Sequence, residues 1–385
     1  MTATPARLYL DLGDLFTKGL FVTAQGRARR LRFPSAVAHT LLRPDAPPTD
    51  DDLVLGEGEA PLRPEGFEPT AHPRAASYRG GPQFLREASG RLGGGVALCG
   101  WLAAAYGADR EVLGQHPTPE NVALLTQKAL LLCAPPTAPL ELVLLVDSGT
   151  KARLIAEHAR ALTGAVTLAG GSLRRDAPRQ LRLQVRAQVA DAPSCAAAFA
   201  HQDPALAGID RLVLLDVGYF RTKIAIVTTD LGCELQVEQP DLGLIDCVRR
   251  VIRDSQDQGL VGDEYAIVRA LELRRDVVRL AGRSFAVGPV LDAAAIDLAE
   301  SVARAAKSNV LGHYNRSGRT CQAGFILGGG AAFIGARLAE QLQRAHLSLS
   351  TTRVTSEPSF ALVEGARHLG AETGTPAHRE AAGRP

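Results

Sequence analysis

The chain has no marked excess of charge of either sign, no closely paired cysteines and no long apolar run. Lys and Arg number 43 against 41 Asp and Glu, a formal net charge of +2, which leaves no electrostatic basis for wholesale nucleic-acid binding. The six cysteines (Cys99, Cys133, Cys195, Cys233, Cys247, Cys321) show no C-x-x-C spacing, and most lie among apolar or small residues. They are expected to be core thiols of a cytosolic protein, not metal ligands. No apolar run reaches the length of a membrane span and no secretory signal precedes Leu8, so a cytoplasmic protein without a membrane span is expected. What remains is an ordinary globular composition, 46% hydrophobic and 22% charged, on 385 residues. That length exceeds one ordinary core and predicts two domains.

A duplicated phrase organises those domains. Asp11-Leu-Gly-Asp-Leu-Phe-Thr-Lys18 and Asp216-Val-Gly-Tyr-Phe-Arg-Thr-Lys223 share the pattern Asp-x-Gly-x-x-x-Thr-Lys, and each stands between two apolar runs. The pattern reads as strand, tight turn, strand. At such a tip the Gly lets backbone N–H groups turn inward, the Thr adds a hydroxyl and the Asp can hold a metal through water. Two tips facing each other would clamp a polyphosphate; the alternative for either one alone is a surface turn with a solvated Asp.

The surrounding pattern repeats as well. The first half predicts strands at 8–10, 20–23, 31–33 and 141–146, helices at 119–133 and 151–162, half-buried strands within 165–192 and a short helix at 195–201. The second half predicts strands at 212–216, 222–228, 233–238 and 323–327, helices at about 243–257, 263–273 and 290–314, then a helix from near Phe333, a strand at about 352–355 and a last helix at 359–369. The expected boundaries are a first domain over 1–204, a second over 205–370 and a disordered tail over 371–385. Residues of about 41–80, rich in Pro, Asp, Glu and Gly, read as an irregular accessory segment of the first domain. The strand at 323–327 runs into Gly328-Gly329-Gly330 and then a helix, which places backbone amides at a helix N-terminus with no side chains in the way. A plain tight turn is the alternative; beside the two hairpins, the triple Gly becomes the third wall of a nucleotide cleft.

Two phosphate hairpins and a Gly-rich adenosine loop resemble the actin, Hsp70 and sugar-kinase superfamily, and within it the bacterial and archaeal actin-like proteins of the ParM type. Arg32-Phe-Pro-Ser-Ala-Val37, Leu327-Gly-Gly-Gly-Ala331 and Glu357-Pro-Ser-Phe-Ala361 to Gly365 are similar to that group's motifs, although Leu362 stands where Asn is usual. The resemblance covers roughly residues 7–370. It implies an α/β fold of two duplicated ribonuclease H-like domains flanking a nucleotide cleft, ATP or GTP with Mg²⁺, slow hydrolysis and self-association into filaments. Plasmid or other cargo would be engaged through an adaptor, not by direct nucleic-acid binding. Carried over, the nucleotide-binding residues are Asp11, Gly13, Asp14, Thr17, Lys18, Gly218, Tyr219, Thr222, Gly328, Gly329 and Gly330. Asp11 and Asp216 would hold the metal through water, and Asp216 and Asp147 are the catalytic candidates. Asp147 reads equally as a cap for the helix that follows it.

The tips depart from the family pattern. Asp14 adds negative charge where phosphate oxygens would approach. Tyr219 and Phe220 are bulky, and Arg221 reads either as an anion clamp or as a solvated side chain. A non-hydrolysing scaffold of the same fold is therefore a second reading. A small-molecule kinase is a third, for which no sugar-kinase signature stands out.

Overall fold

A computed structural model describes residues 5–38, 98–100, 103–104, 111–115, 117–133, 139–147, 149–170, 179–256, 259–260, 264–272, 276–280, 283–345 and 347–373. The accessory segment expected at about 41–80 and most of the expected tail lie outside these residues.

The first half opens with the antiparallel strands β1 (Ala6–Leu12), β2 (Phe16–Val22) and β3 (Ala28–Pro34). The short strands β4 (Ala36–Ala38), β5 (Leu98–Cys99) and β6 (Glu111–Val112) form a separate small sheet. Helix α1 (Pro119–Cys133), β7 (Leu140–Val146), α2 (Gly149–Leu162), β8 (Gly164–Gly170), β9 (Arg179–Asp191) and α3 (Ala192–Ala200) follow. The second half repeats the plan with β10 (Arg211–Val217), β11 (Arg221–Thr228), β12 (Cys233–Pro240), α4 (Leu244–Asp254) and α5 (Glu264–Glu272). The hairpin β13 (Val277–Leu280) and β14 (Arg283–Ala286) precedes α6 (Gly288–Ser317), β15 (Ala323–Leu327), α7 (Ala331–Arg344), β16 (Thr351–Val354) and α8 (Ala361–Thr373).

The duplication read from one phrase extends to sheet topology. The first sheet runs β3-β2-β1-β7-β9-β8 and the second β12-β11-β10-β15-β16. In each, an antiparallel meander is followed by two parallel neighbours, and only β8 has no counterpart. The central strands are apolar on both faces because both faces are covered. Along β7, Leu142 and Leu144 point to α1 and α2, while Val143 and Leu145 point to the opposite layer. Along β10, Val213, Leu215 and Val217 join the core under α4, α6 and α7, while Leu212 and Leu214 face α3.

Helices α3 and α8 fill the layer between the two sheets. Asp191 starts α3 by accepting the Ser194 backbone N–H at 3.0 Å. The Ala-rich face of α3 lies against β10, β11 and β15, and Cys195 faces Tyr9 and Val143 of the first sheet. Helix α8 follows the second half in sequence, yet Val363 and Ala366 seat it on Tyr9, Leu20 and Val143. A Cβ on Gly365 would overlap the Cys195 carbonyl, so the two helices cross closer than any side chain allows. Cys133, Cys195, Cys247 and Cys321 are buried free thiols, as the composition suggests, whereas Cys233 is exposed. Among the described residues no helix is long and apolar enough to cross a membrane.

Candidate functional site

Each half presents a three-residue tip at the same place in its sheet. β1 and β2 pair Asp11 with Lys18, and β10 and β11 pair Asp216 with Lys223, so the motif's first and last residues form matching rungs. The tips are Gly13-Asp14-Leu15 and Gly218-Tyr219-Phe220. A Cβ at Gly13 would lie 2.5 Å from the Phe16 carbonyl oxygen and one at Gly218 would lie 2.8 Å from that of Arg221, so both turns exclude a side chain at this position. The first hairpin packs on the second half: Phe16 meets Tyr265 of α5 edge to face at 5.6 Å, and Leu15 and Phe16 belong to the same apolar cluster as Tyr219 and Leu244.

Between the tips lies a cleft lined by Asp11, Gly13, Asp14, Lys18, Asp147 and Lys151 from one side and by Asp216, Gly218, Tyr219, Arg221, Lys223 and Gly329 from the other. Gly328, at φ +91°, leads the chain out of β15; a Cβ there would overlap the Asp216 carboxylate and lie 2.6 Å from the Val217 carbonyl oxygen. Its N–H donates to the Pro358 carbonyl at 2.9 Å, and the Gly330 N–H donates to the Val217 carbonyl at 2.8 Å. Gly328 and Gly330 therefore press the third wall onto β10, and Gly329 faces the cleft.

Charge in the cleft is paired both within and across the two halves. Lys223 lies 3.8 Å from Asp216 and makes a close ion pair with Asp147 at the end of β7. Asp14 accepts Lys151 Nζ at 2.7 Å and faces Arg221 Nε at 3.4 Å; Arg221 also holds Glu238 at 3.1 Å. Lys18 lies 3.6 Å from Asp11. Burial pushes the Asp14 carboxyl up, but Lys151 and then Arg221 outweigh it and hold the group below the usual carboxylate range. Asp147 is held down in the same way by Lys223 and Lys151. Burial pushes Asp216 up, and Lys223 offsets only part of that. Burial would lower Lys223, yet Asp147 and Asp216 together raise it.

Two expected contacts take a different course. The Thr17 and Thr222 side chains are fully buried and do not line the cleft. Thr17 Oγ1 lies 2.9 Å from Ser35 Oγ, and Thr222 donates to the Leu242 carbonyl at 2.6 Å. Each threonine is buried next to the half-buried lysine of its rung and so points to the opposite face of the sheet, where it fixes the hairpin from behind. Asp147 faces Lys223, which makes it a poor base but leaves oxygens that can accept a hydrogen bond from water. The cleft also contains Lys151, Lys223 and Arg32, which the motif reading did not assign. Lys223 occupies the motif position of Lys18. Lys151 stands in the first turn of α2, where the helix dipole disfavours a cation, a sign that it answers to a carboxylate elsewhere.

Among the described residues no three His, Cys, Asp or Glu side chains cluster as a metal cage. The donor set nevertheless suits a hydrated dication, which needs one or two carboxylates and otherwise keeps water or phosphate oxygens. Asp11 and Asp216 both line the cleft, one from each half.

No protein-family model matches the chain, and no curated protein matches its sequence. Solved structures do match. The archaeal actin homologue Ta0583 superposes with a TM-score of 0.64 at 17% identity, covering 96% of this chain and 100% of that one. A 15-stranded ParM filament from Clostridium botulinum gives 0.64 at 14% identity, covering 96% and 99%. Bacillus thuringiensis ParM with ATP gives 0.59 at 12% identity, covering 96% and 99%. With its duplicated sheets, its crossed helices α3 and α8 and its cleft between paired hairpin tips, the chain has an actin-like fold similar to those of ParM and the archaeal actin homologue over nearly its whole length.

Proposed function

We propose that the protein is an actin-like nucleotide-binding protein that assembles into filaments and positions plasmid DNA or other cargo through an adaptor. One observation carries the reading: both hairpin tips and Gly329 of the Gly-rich turn line a single cleft. Similar structures include one with ATP and one of a filament, which supports ATP as the ligand, with GTP as the alternative, and self-association as the outcome. In that cleft Lys18, Lys151, Arg221 and Lys223 supply positive charge to phosphate oxygens. Asp11 and Asp216 would hold Mg²⁺ through water, and the ion would neutralise charge on the phosphates. Asp147 would orient a water as a hydrogen-bond acceptor, and its low basicity matches slow hydrolysis. The near-neutral net charge of +2 agrees with cargo reached through an adaptor.

Sedimentation with Mg-ATP, Mg-GTP or no nucleotide, with phosphate release followed in the same samples, tests this. Nucleotide-dependent pelleting with phosphate release is expected, and Asp216→Ala should remove the dependence. Failure to pellet in every condition would overturn the filament function. Pelleting that ignores nucleotide, with no phosphate release, would instead identify a non-hydrolysing scaffold, a reading favoured by the carboxylates already paired with the cleft's cations.

A further inference from the structure

The cleft holds its own anion where a ligand's would go. Five basic side chains line it (Lys18, Arg32, Lys151, Arg221, Lys223) against four carboxylates (Asp11, Asp14, Asp147, Asp216), so a polyphosphate meets little net positive charge. Among those carboxylates Asp14 alone stands on a hairpin tip; the equivalent residue of the other tip is Tyr219. Its two oxygens reach cations from different halves: Oδ1 meets Lys151 of α2 at 2.7 Å, and Oδ2 meets Arg221 of β11 at 3.4 Å. A phosphoryl group sharing its oxygens between two cations would be held in the same way. The side chain is only 10% exposed, and its tip is fixed on both sides. Gly114 donates to the Asp14 carbonyl at 3.1 Å, and a Cβ on Gly114 would lie 2.6 Å from both Asp14 and Phe220.

We propose that Asp14 is a built-in competitor for phosphate, a carboxylate that occupies the anion site between Lys151 and Arg221 and latches the two halves together until a polyphosphate displaces it. The proposal rests on the nucleotide reading of this cleft and adds the residue that sets its threshold. On this proposal Asp14 sets which anions enter: a single phosphate offers no more than the two contacts it would replace, whereas a di- or triphosphate brings further oxygens to the other cations lining the cleft.

Titration calorimetry on the full chain, wild type and Asp14→Asn, with inorganic pyrophosphate in EDTA and with Mg-ATP as probes, tests it. Asp14→Ser replaces the Asn variant if the latter does not fold by circular dichroism. Removing the competing charge frees one charge-assisted contact on each cation, so pyrophosphate should bind the variant at least about tenfold more tightly than the wild type. Adding Arg221→Gln to the variant should cancel the gain; a gain that survives would overturn the shared anion site. Tighter pyrophosphate binding while neither protein takes Mg-ATP would uphold the competitor and remove the nucleotide function. Wild type that binds Mg-ATP while the variant binds both probes equally or more weakly would overturn the competitor, marking Asp14 as a metal-holding or purely structural residue. No binding of either probe by either protein would overturn both.

Discussion

The two hairpin tips share a backbone and a carboxylate–lysine rung, yet they do opposite things with their middle residue. In the second tip Tyr219 turns into the apolar cluster under α4, its ring edge-on to Phe220 at 4.7 Å. The Leu244 and Ile245 N–H groups of α4 donate to the Gly218 and Tyr219 carbonyls at 3.2 and 2.9 Å, so that helix N-terminus is committed to holding the tip. A Cβ on Gly243 would lie 2.8 Å from the Arg221 nitrogen, which brings the second tip flush against the helix. The first tip carries Asp14 instead and reaches across the cleft to Arg221. One copy of the duplicated hairpin has become a packed support, and the other a charged reach. A duplicated motif thus preserves backbone geometry far more strictly than it preserves the chemistry displayed on it.

The largest test of this difference removes the rung lysines. Lys223→Met leaves two partly buried carboxylates, Asp147 and Asp216, without their shared cation, and should destabilise the protein by about 3 kcal/mol in urea unfolding. Lys18→Met removes a single partner lying 3.6 Å away, so about 1 kcal/mol is expected. Equal losses would show that the two rungs are energetically equivalent and would erase the contrast.

A smaller effect comes from the charged reach itself. Asp14→Asn should cost about 2 kcal/mol at pH 7, because Lys151 and Arg221 keep their partly buried charges and lose an ionised partner. The folded-state carboxyl lies below its unfolded value of about 4, so this stabilisation is complete above that value and is lost as pH falls through the lowered folded one. The wild-type advantage in thermal unfolding should therefore hold constant from about pH 8 to 5 and shrink below about pH 4. An advantage that grows on acidification would reverse the assigned sign.

The smallest effects probe what the tips still have in common. Thr17→Val and Thr222→Val each remove one buried hydroxyl hydrogen bond and should cost about 1 kcal/mol apiece in stability. Neither should change Mg-ATP affinity measured by calorimetry, since both hydroxyls face away from the cleft. A loss of affinity with unchanged stability would return the threonines to the phosphate site.

Most of the architecture was legible from local pattern. The helix at 119–133 matches α1 to the residue, and the alternating stretch at 165–192 became β8 and β9, because burial on one face writes its period directly into the sequence. The last helix was found but its packing was not: Val363 and Ala366 are apolar on any surface, and only the fold shows that they sit on the first half's strands. The Gly-rich turn was legible as a close approach, while the division of labour that leaves Gly329 in the cleft and Gly328 against Asp216 was not.

By itself the sequence determined the two Asp-x-Gly-x-x-x-Thr-Lys hairpins, since a Gly that must escape a carbonyl and short continuous apolar runs on either side of it act within a few residues. It could not say who faces whom. Lys151 stands 137 residues from Asp14, and Lys223 stands 76 from Asp147. Such partners meet only after two sheets have closed on α3 and α8, and only then are their charges removed from water. Burial makes those charges matter, and burial is a property of the assembled layers, not of any segment of the chain.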